Sequence, residues 1–327
     1  MMVPVVKSLS EQYPKLQITV LSKPFARVFF EGIGSNVFFM EADIKNEYKG
    51  IHGLNVLYRR LVAKRFTAVA DFHNILRSKY LRMRFNIGLF KTAHINKHYS
   101  QRRKLTAQKK KCLKQLPTSF ENYAEVLKKL GYPVKIQFKS IFGEEKGDLT
   151  LISSRIGEKK EGEKWIGIAP FAAHRGKIYP AERMQTIVKL ILQKDPMCRL
   201  FFFGAGSKEH NVIEQIINNN KRCTNASAAL SSLHEELILM SHLDTMLSMD
   251  SANMHLASLV GTRVVSVWGA THRYAGFLGW NQREEDAAEI NLPCRPCSIF
   301  GNKKCKFGDY RCMNIPEEKI AEKVLKQ

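Results

Sequence analysis

The residues best suited to chemistry are Asp250, Ser251 and His255, which lie close together after an apolar run. That run, Thr245–Met249, predicts a buried strand that ends directly before Asp250. Asp and Ser are favoured N-caps, so a short helix is expected next, followed by a second strand that runs into Gly269. The N-terminus of such a helix offers unpaired N–H groups and the positive end of a dipole, which favour a diphosphate. On spacing alone, a simple helix cap explains Asp250 equally well.

Four of the seven cysteines cluster near the C-terminus with the spacing Cys-x2-Cys-x7-Cys-x6-Cys. They are Cys294, Cys297, Cys305 and Cys312. Four thiolates at this spacing suit a tetrahedral structural zinc site, and disulfides are disfavoured in a cytosolic protein. Reduced cysteines packed in a loop, or a disulfide pair, fit the spacing as well, so both readings stay open.

Gly204 and Gly206 follow the apolar run RLFFF and form half of a dinucleotide-binding fingerprint. The third glycine of that fingerprint is absent, so the pair is weak support for NAD. A tight strand-to-helix turn that lines a donor pocket is the better interpretation.

The elements that must position these residues alternate between strand-like and helix-like segments, which predicts parallel sheets covered by helices. Strands are predicted at 17–21, 37–39, 66–71, 165–169, 199–203, 245–249 and 264–268. A polar, glycine-containing stretch at 157–164 is the candidate linker. We therefore expect an N-terminal domain of residues 1–156 and a C-terminal domain of residues 165–327, which includes the Cys-rich segment 294–312.

Positive charge is concentrated in one part of the chain. The formal net charge is +22, and the segment from Arg59 to Lys114 holds 17 Lys and Arg residues against one acid, Asp71. Such a basic surface suits nucleic acid, an anionic membrane leaflet or a phosphorylated acceptor. No apolar run reaches the ~18 residues that span a bilayer, and the N-terminus lacks the features of a signal peptide. A cytoplasmic location is therefore expected.

The segment from Asp250 to the Trp-Gly-Ala-Thr at 268–271 resembles the ADP-heptose:lipopolysaccharide heptosyltransferases, glycosyltransferase family 9. The family pattern there is Asp-[Ser/Thr]-Gly-x-x-His-[Leu/Val]-Ala, then a strand and [Tyr/Phe]-Gly-x-[Thr/Ser]. The segments 165–180 (WIGIAPFAAHRGKIYP) and 69–78 (VADFHNILRS) also resemble family segments in the same order. The resemblance covers most of the chain and implies a GT-B fold, two Rossmann-like doubly wound domains that face a cleft. It also implies inverting sugar transfer without a catalytic metal.

The resemblance also implies a role for each matching residue. Asp250 would bind the ribose or sugar of the donor, Ser251 and Ala252 would offer N–H groups to its diphosphate, and Gly269 and Thr271 would complete the donor site. Ala252 stands where the family usually has glycine, which can still leave the N–H available. Two residues are implied in catalysis, Lys177 to neutralise the leaving phosphate and His255 beside the transferred sugar. A solvated surface lysine and a hydrogen-bonded helix histidine remain the plainer alternatives for these two.

The same resemblance leaves the general base unaccounted for. Inverting transfer needs a base to take the proton of the acceptor hydroxyl. In the family this base is an Asp in a Gly-Asp-Val loop after the first strand, and that strand and loop are expected to lie upstream of Met1. A truncated start or a binding-only relative would explain this, and we expect the chain as written to bind donor weakly and transfer poorly.

The implied acceptor is the anionic inner core of lipopolysaccharide at the inner face of the cytoplasmic membrane. Its phosphates would meet basic residues of the N-terminal domain, namely Arg59, Arg60, Lys64, Arg65 and Arg77, while Arg102–Lys104 and Lys109–Lys111 would rest on the leaflet. Nucleic acid is not expected as a partner. Two alternatives remain open: a basic nucleic-acid-binding protein with a zinc module, and a GT-B enzyme that uses another nucleotide sugar.

Overall fold

The computed structural model describes residues 1–326; Gln327, the last residue of the expected C-terminal domain, lies outside the described residues. The strands are β1 (Ile18–Ser22), β2 (Val37–Glu41), β3 (Ala68–Asp71), β4 (Lys91–His94), β5 (Lys164–Ala169), β6 (Cys198–Phe202), β7 (Cys223–Asn225), β8 (Thr245–Met249), β9 (Val264–Val267) and β10 (Ala287–Ala288). The α-helices are α1 (Val3–Gln12), α2 (Gly50–Ala63), α3 (Leu76–Ile87), α4 (Tyr99–Leu105), α5 (Ser119–Lys129), α6 (Ser153–Ile156), α7 (Ala181–Lys194), α8 (Gly206–Ile217), α9 (Ala226–Ala229), α10 (Leu233–His242), α11 (Ala252–Leu259) and α12 (Glu317–Leu325).

The chain divides into two compact units. Unit 1 comprises Met1–His98 and Pro117–Ile141. Unit 2 comprises Tyr99–Leu116 and residues 142–326.

Unit 1 contains two parallel strand pairs, β1 with β2 and β3 with β4. Helices α2 and α3 pack on them through an apolar cluster that includes Leu57, Leu61 and Phe85. Helix α5 begins with a capping box, in which Thr118 and Glu121 satisfy each other's backbone N–H. Strand β4 was not predicted, because its four residues, KTAH, carry no continuous apolar run.

Unit 2 is built on one six-stranded sheet in the order β10-β9-β8-β5-β6-β7, and every strand pair is parallel. All residues of β8 and β9 are buried, as expected for a parallel sheet with helices on both faces. One core cluster joins the central strands to α7, α8 and α12. The predicted strands of this half are thus reproduced to within one residue at each end.

The units differ from the expected domain boundary in two segments. Residues 99–116 lie in unit 2 because Leu105 and Leu116 pack with Ala275. Residues 142–156 also lie in unit 2, where Arg155 pairs with Glu235 at 2.8 Å. The stretch at 157–164 therefore falls inside unit 2 and does not link the two units. None of the helices described for residues 1–326 is both long enough and apolar enough to cross a bilayer.

Candidate functional site

The predicted donor element, the segment from Asp250 to Thr271, lies where the strand order of unit 2 reverses. β6 and β7 follow on one side of β5, whereas β8, β9 and β10 lie on its other side. A reversal of this kind opens a crevice at the carboxyl ends of the two strands that meet there. These ends are Ala169 of β5 and Met249 of β8, and the chain beyond them carries Lys177 and Asp250.

Lys177 and Asp250 form an ion pair at this crevice. Lys177 ends a single 3-10 turn, Arg175–Lys177, and its Nζ lies 3.2 Å from Oδ2 of Asp250. The two side chains are 14% and 6% exposed. The site therefore holds a compact cation beside a carboxylate, a combination that can contact both a phosphate and a sugar hydroxyl.

The N-terminus of α11 opens at the same edge of the sheet. Within the described chain no side chain caps it, because the hydroxyl of its N-cap residue Ser251 lies 3.2 Å from that of Ser248. Ala252, the first helical residue, is exposed. The N–H groups of the first turn can therefore donate hydrogen bonds to an anion from outside the chain.

Three polar atoms near this crevice are buried and have no hydrogen-bond partner among residues 1–326. They are Oδ2 of Asp250, Nδ1 of His255 and Oγ1 of Thr271. Asp250 Oδ2 has the Lys177 ammonium beside it but accepts no hydrogen bond. Buried polar atoms are nearly always satisfied, so three unsatisfied atoms on one donor element point to a polar ligand.

Burial, with a contribution from positive charge that includes Lys177, lowers the pKa of His255 to about 3. The imidazole is therefore neutral at pH 7 and can donate or accept one hydrogen bond at each ring nitrogen. A neutral ring adds no charge to the ion pair beside it. This suits contact with a sugar hydroxyl better than contact with a phosphate.

The backbone turns at Gly176 and Gly269 are packed directly against each other. The N–H of Ala270 donates to the carbonyl of Gly176 at 2.8 Å. A Cβ on Gly269 would lie 2.6 Å from that same carbonyl oxygen and would also meet the side chain of Met313. Glycine at 269 is therefore required by this close approach, which fixes the turn of Lys177 against the loop of Thr271.

Arg295 holds the loop between β9 and Thr271 in place, and this role was not predicted from the sequence. The residue is 3% exposed, and its guanidinium donates to the carbonyls of Trp268, Gly269 and Thr271. It also pairs with Glu289 at 2.9 Å. The sequence marks Arg295 only by its place inside the Cys-x-x-Cys of residues 294–297, a motif that points to the cysteines as metal ligands.

The turn at Gly204 and Gly206 is not arranged for a phosphate. Gly206 has φ +74° and begins α8, so the predicted strand-to-helix turn is present. However, the carboxylate of Glu209 accepts the N–H of Ala205 at 2.8 Å. A carboxylate already occupies this helix N-terminus, which disfavours a second anion there.

The basic residues predicted for the acceptor lie in unit 1. Arg59, Lys64 and Arg65 are exposed around the C-terminal end of α2, and Arg77 is exposed at the start of α3. Arg60 differs from these, because it pairs with Glu47 and its guanidinium lies 5.6 Å from the Tyr48 ring centroid.

Of the residues predicted to rest on a leaflet, two point into unit 2. Arg102 lies over the stacked rings of Phe277 and Phe300, at 5.3 and 5.7 Å from their centroids. Lys111 donates to the carbonyls of Arg295 and Pro296 at 2.7 and 3.1 Å. Arg103, Lys104, Lys109 and Lys110 are exposed.

Asp71, the single acid of the basic segment, is fully engaged in unit 1. Its Oδ1 accepts the N–H groups of His73 and Asn74, and its Oδ2 pairs with Arg82. A carboxylate held in this way is unsuited to serve as a general base.

The four clustered cysteines line one small cavity of about 30 Å³. All four are free thiols, and burial raises the pKa of Cys312 to about 11. Among residues 1–326, no three Cys, His, Asp or Glu side chains form a group placed to hold a metal ion. The sequence spacing therefore brings the sulfurs to one cavity without closing them into a coordination shell.

Two curated proteins are similar to this chain in sequence. The chain is 23% identical over 173 residues to lipooligosaccharide heptosyltransferase 2 of Campylobacter jejuni, covering 51% of this chain and 52% of that protein. It is 22% identical over 234 residues to lipopolysaccharide heptosyltransferase 1 of Campylobacter coli, covering 70% of this chain and 64% of that protein. The chain thus spans between half and two thirds of the length of these curated relatives.

A solved structure shares the fold. The ADP-heptose lps heptosyltransferase II of E. coli superposes with a TM-score of 0.66 at 15% identity, covering 98% of this chain and 92% of that one. The expected GT-B fold is thereby confirmed. In addition, the profile of glycosyltransferase family 9 (heptosyltransferase) matches residues 55–310, which include the whole segment from Lys177 to Thr271. The chain therefore belongs to glycosyltransferase family 9.

Proposed function

We propose that this protein is an inverting glycosyltransferase that moves a heptose, or a similar sugar, from ADP-heptose to the inner core of lipopolysaccharide. The observation that carries the proposal is the Lys177–Asp250 ion pair beside the uncapped N-terminus of α11, at the strand-order reversal of unit 2. Family membership and the ADP-heptose enzyme among the structural relatives support the choice of donor. Unit 2 is then the nucleotide-sugar unit, and unit 1 carries the acceptor contacts.

Five residues of the donor site have a role in the proposed reaction. The acceptor oxygen forms a bond to the anomeric carbon while the bond from that carbon to the phosphate oxygen breaks. The departing diphosphate gains charge, which Lys177 and the N–H groups of Ser251 and Ala252 stabilise. Asp250 accepts hydrogen bonds from hydroxyls of the ribose or sugar, and neutral His255 contacts the transferred sugar.

The proposed transfer needs no metal ion, because a lysine and backbone N–H groups stabilise the negative charge of the leaving diphosphate. The proton of the acceptor hydroxyl must pass to a base. The family gives this role to the Asp of its Gly-Asp-Val loop, and no residue of this chain is assigned to it.

We propose that the acceptor is an anionic core glycolipid at the inner face of the cytoplasmic membrane. Arg59, Arg60, Lys64 and Arg77 of unit 1 would contact its phosphates. The exposed side chains of Arg59, Lys64 and Arg77 are free to form charge-assisted contacts, and Arg60 would have to leave Glu47 to join them. Arg103, Lys104, Lys109 and Lys110 would rest on the anionic leaflet, where each basic side chain contributes ~1 kcal/mol.

We further propose a structural zinc ion in the cavity of Cys294, Cys297, Cys305 and Cys312. Four thiols that converge on one small cavity suit zinc, although the side chains must close in before they can bind it. Metal analysis of the purified protein should find one zinc per chain, and Cys297→Ser with Cys312→Ser should lose it. Cys112→Ser, an exposed thiol outside the cluster, is the matched control. Protein without zinc in all three preparations would refute the proposal.

The donor site is tested by thermal unfolding with ADP, UDP, GDP and their sugars. A ligand that binds only the folded state adds about 2.7 kcal/mol at a hundred times its Kd, so a true donor raises Tm visibly. We expect ADP and ADP-heptose to raise Tm for the wild type and to do so much less for Asp250→Asn. Asp195→Asn, a carboxylate that pairs with Lys164 at the end of α7, should respond like the wild type.

The pattern across nucleotides separates the alternatives. A shift with UDP or GDP sugars in place of ADP would keep the site and change the donor. If none of the nucleotides raised Tm, or if the Tm of Asp250→Asn rose as much as that of the wild type, the proposed site would be overturned.

A further inference from the structure

Helix α3 of unit 1 presents an apolar stripe to solvent. Leu76 is 85% exposed, Met83 49% and Ile87 73%, and Leu89 just beyond the helix is 93% exposed. These helix positions are seven and four residues apart, so they share one face. Large apolar side chains that line up on an outer face are uncommon on a protein that stays in water.

The stripe is not part of the unit's own core. The inward face of α3 carries Phe85, which is 2% exposed, and Leu81, which packs in the same cluster. Phe85 lies half a helical turn from the stripe. Tyr80 lies on the stripe side, and its hydroxyl donates to Asn55 of α2 at 2.8 Å, which ties the two helices together. The stripe therefore sits on a firmly anchored helix.

Positive charge surrounds the stripe. The helix sequence, LRSKYLRMRFNI, contains four basic residues and no acid. Arg82 and Arg84 are engaged, the first with Asp71 and the second with Asn55 at 2.7 Å. Arg77 and Lys79 are exposed, and helical spacing places them on opposite flanks of the stripe.

This charge decides what can cover the stripe. A second copy of the chain would bring the same cationic flanks against each other, which is unfavourable. An anionic lipid surface instead pairs its headgroups with Arg77 and Lys79 while its acyl boundary takes up the apolar side chains.

We propose that the α3 surface, defined as Leu76, Met83, Ile87 and Leu89 with Arg77 and Lys79, docks the protein on an anionic membrane. The helix would lie in the plane of the interface, with its apolar side chains in the boundary between headgroups and acyl chains. The purpose of this docking rests on the proposed function, because a lipid-linked acceptor is presented at such a surface. The docking itself requires neither donor nor acceptor.

The test is flotation of the full chain with vesicles that contain neither lipopolysaccharide nor nucleotide. We expect binding to phosphatidylcholine vesicles with 30% phosphatidylglycerol, and at least tenfold weaker partitioning to pure phosphatidylcholine. The variant Leu76→Ser/Ile87→Ser/Leu89→Ser should lose at least tenfold in partitioning to the anionic vesicles. Leu151→Ser/Met197→Ser, which removes two similarly exposed apolar side chains of unit 2, should bind like the wild type.

A second variant and two controls keep the outcomes distinct. Arg77→Gln/Lys79→Gln should also weaken anionic binding and reduce its salt dependence. The serine variant should unfold at the wild-type temperature, since its changes lie on the surface. Its ADP-induced Tm shift should match the wild type, so a failure of donor binding is recognised separately from a failure of docking.

Three results would overturn the inference. In the first, the wild type floats equally with neutral and anionic vesicles or with neither. In the second, the serine variant floats as well as the wild type. In the third, the wild type sediments as a dimer, the serine variant as a monomer and neither binds lipid, which would assign the surface to a second copy.

Discussion

The variant Lys177→Met removes a cation that the structure places beside the proposed diphosphate site. Its side chain is 14% exposed, so solvent screens it only in part. A unit charge ~4 Å from a phosphate oxygen is worth up to ~4 kcal/mol at an effective dielectric constant of ~20. Net contributions of charge-assisted hydrogen bonds are smaller, about 1.5–3 kcal/mol. Since Lys177 already has Asp250 as a partner 3.2 Å away, we take the lower end of that range.

We therefore expect Lys177→Met to weaken ADP binding by roughly tenfold, because ~1.4 kcal/mol corresponds to one decade in Kd. Isothermal titration of ADP into the wild type and the variant measures this directly. Lys194→Met, which removes an exposed ion-paired lysine from α7, is the control and should bind ADP like the wild type.

Stability supplies a second readout of the same variant. Removing Lys177 leaves the buried carboxylate of Asp250 without its counter-ion, and losing one partner of a buried pair costs about 3–5 kcal/mol. The double variant Lys177→Met/Asp250→Asn removes both charges, so it should recover most of the stability without recovering ADP affinity. Wild-type affinity in Lys177→Met would refute the assigned role. Recovery of affinity in the double variant would show that the unpaired carboxylate, and not the missing cation, caused the loss.

Three further predictions follow from the same site. The pKa of His255 is lowered from its ordinary value of 6.5 to about 3, so its contribution to stability is present above pH 6.5 and is lost as pH falls toward 3. At pH 5 this loss is about 2 kcal/mol. The free energy of unfolding in urea should therefore differ less between pH 7 and pH 5 for His255→Gln than for the wild type. Arg295→Lys should lower the free energy of unfolding in urea by ~2 kcal/mol or more and should weaken ADP binding. The reason is that an ammonium cannot satisfy the three carbonyls that lie in the plane of the guanidinium. An unchanged urea midpoint would contradict this prediction. Gly269→Ala should weaken ADP binding in titration, since its Cβ would push the Gly176 turn and Lys177 out of place.

The donor half of the fold was predictable because its local signals agree with one another. β8, α11 and β9 are short apolar segments separated by Asp250 and Gly261, and strand and helix periods differ clearly there. Their order along the chain then requires parallel pairing, which brings Asp250 and Lys177 to the same edge of the sheet. The ion pair itself was not predicted, although both of its members were.

Other features depend on contacts that no local pattern encodes. Arg295 is charged, yet it is buried because backbone carbonyls from another segment satisfy it. The basic segment 99–116 joins unit 2 through Leu105 and Leu116. These two apolar residues are isolated among charged and polar neighbours, so the sequence shows no pattern that predicts their burial. The exposure of the apolar stripe of α3 could not be predicted either, because hydrophobic periodicity alone does not tell which side of a helix is covered.

The most direct test of the donor site is a crystal structure of the protein with ADP. We expect diphosphate oxygens within hydrogen-bond distance of the first-turn N–H groups of α11, with Nζ of Lys177 beside them. Asp250 should then have left its ion pair with Lys177 or share that lysine with the diphosphate. ADP bound at the turn of Gly204 and Gly206, or anywhere else away from α11, would contradict it.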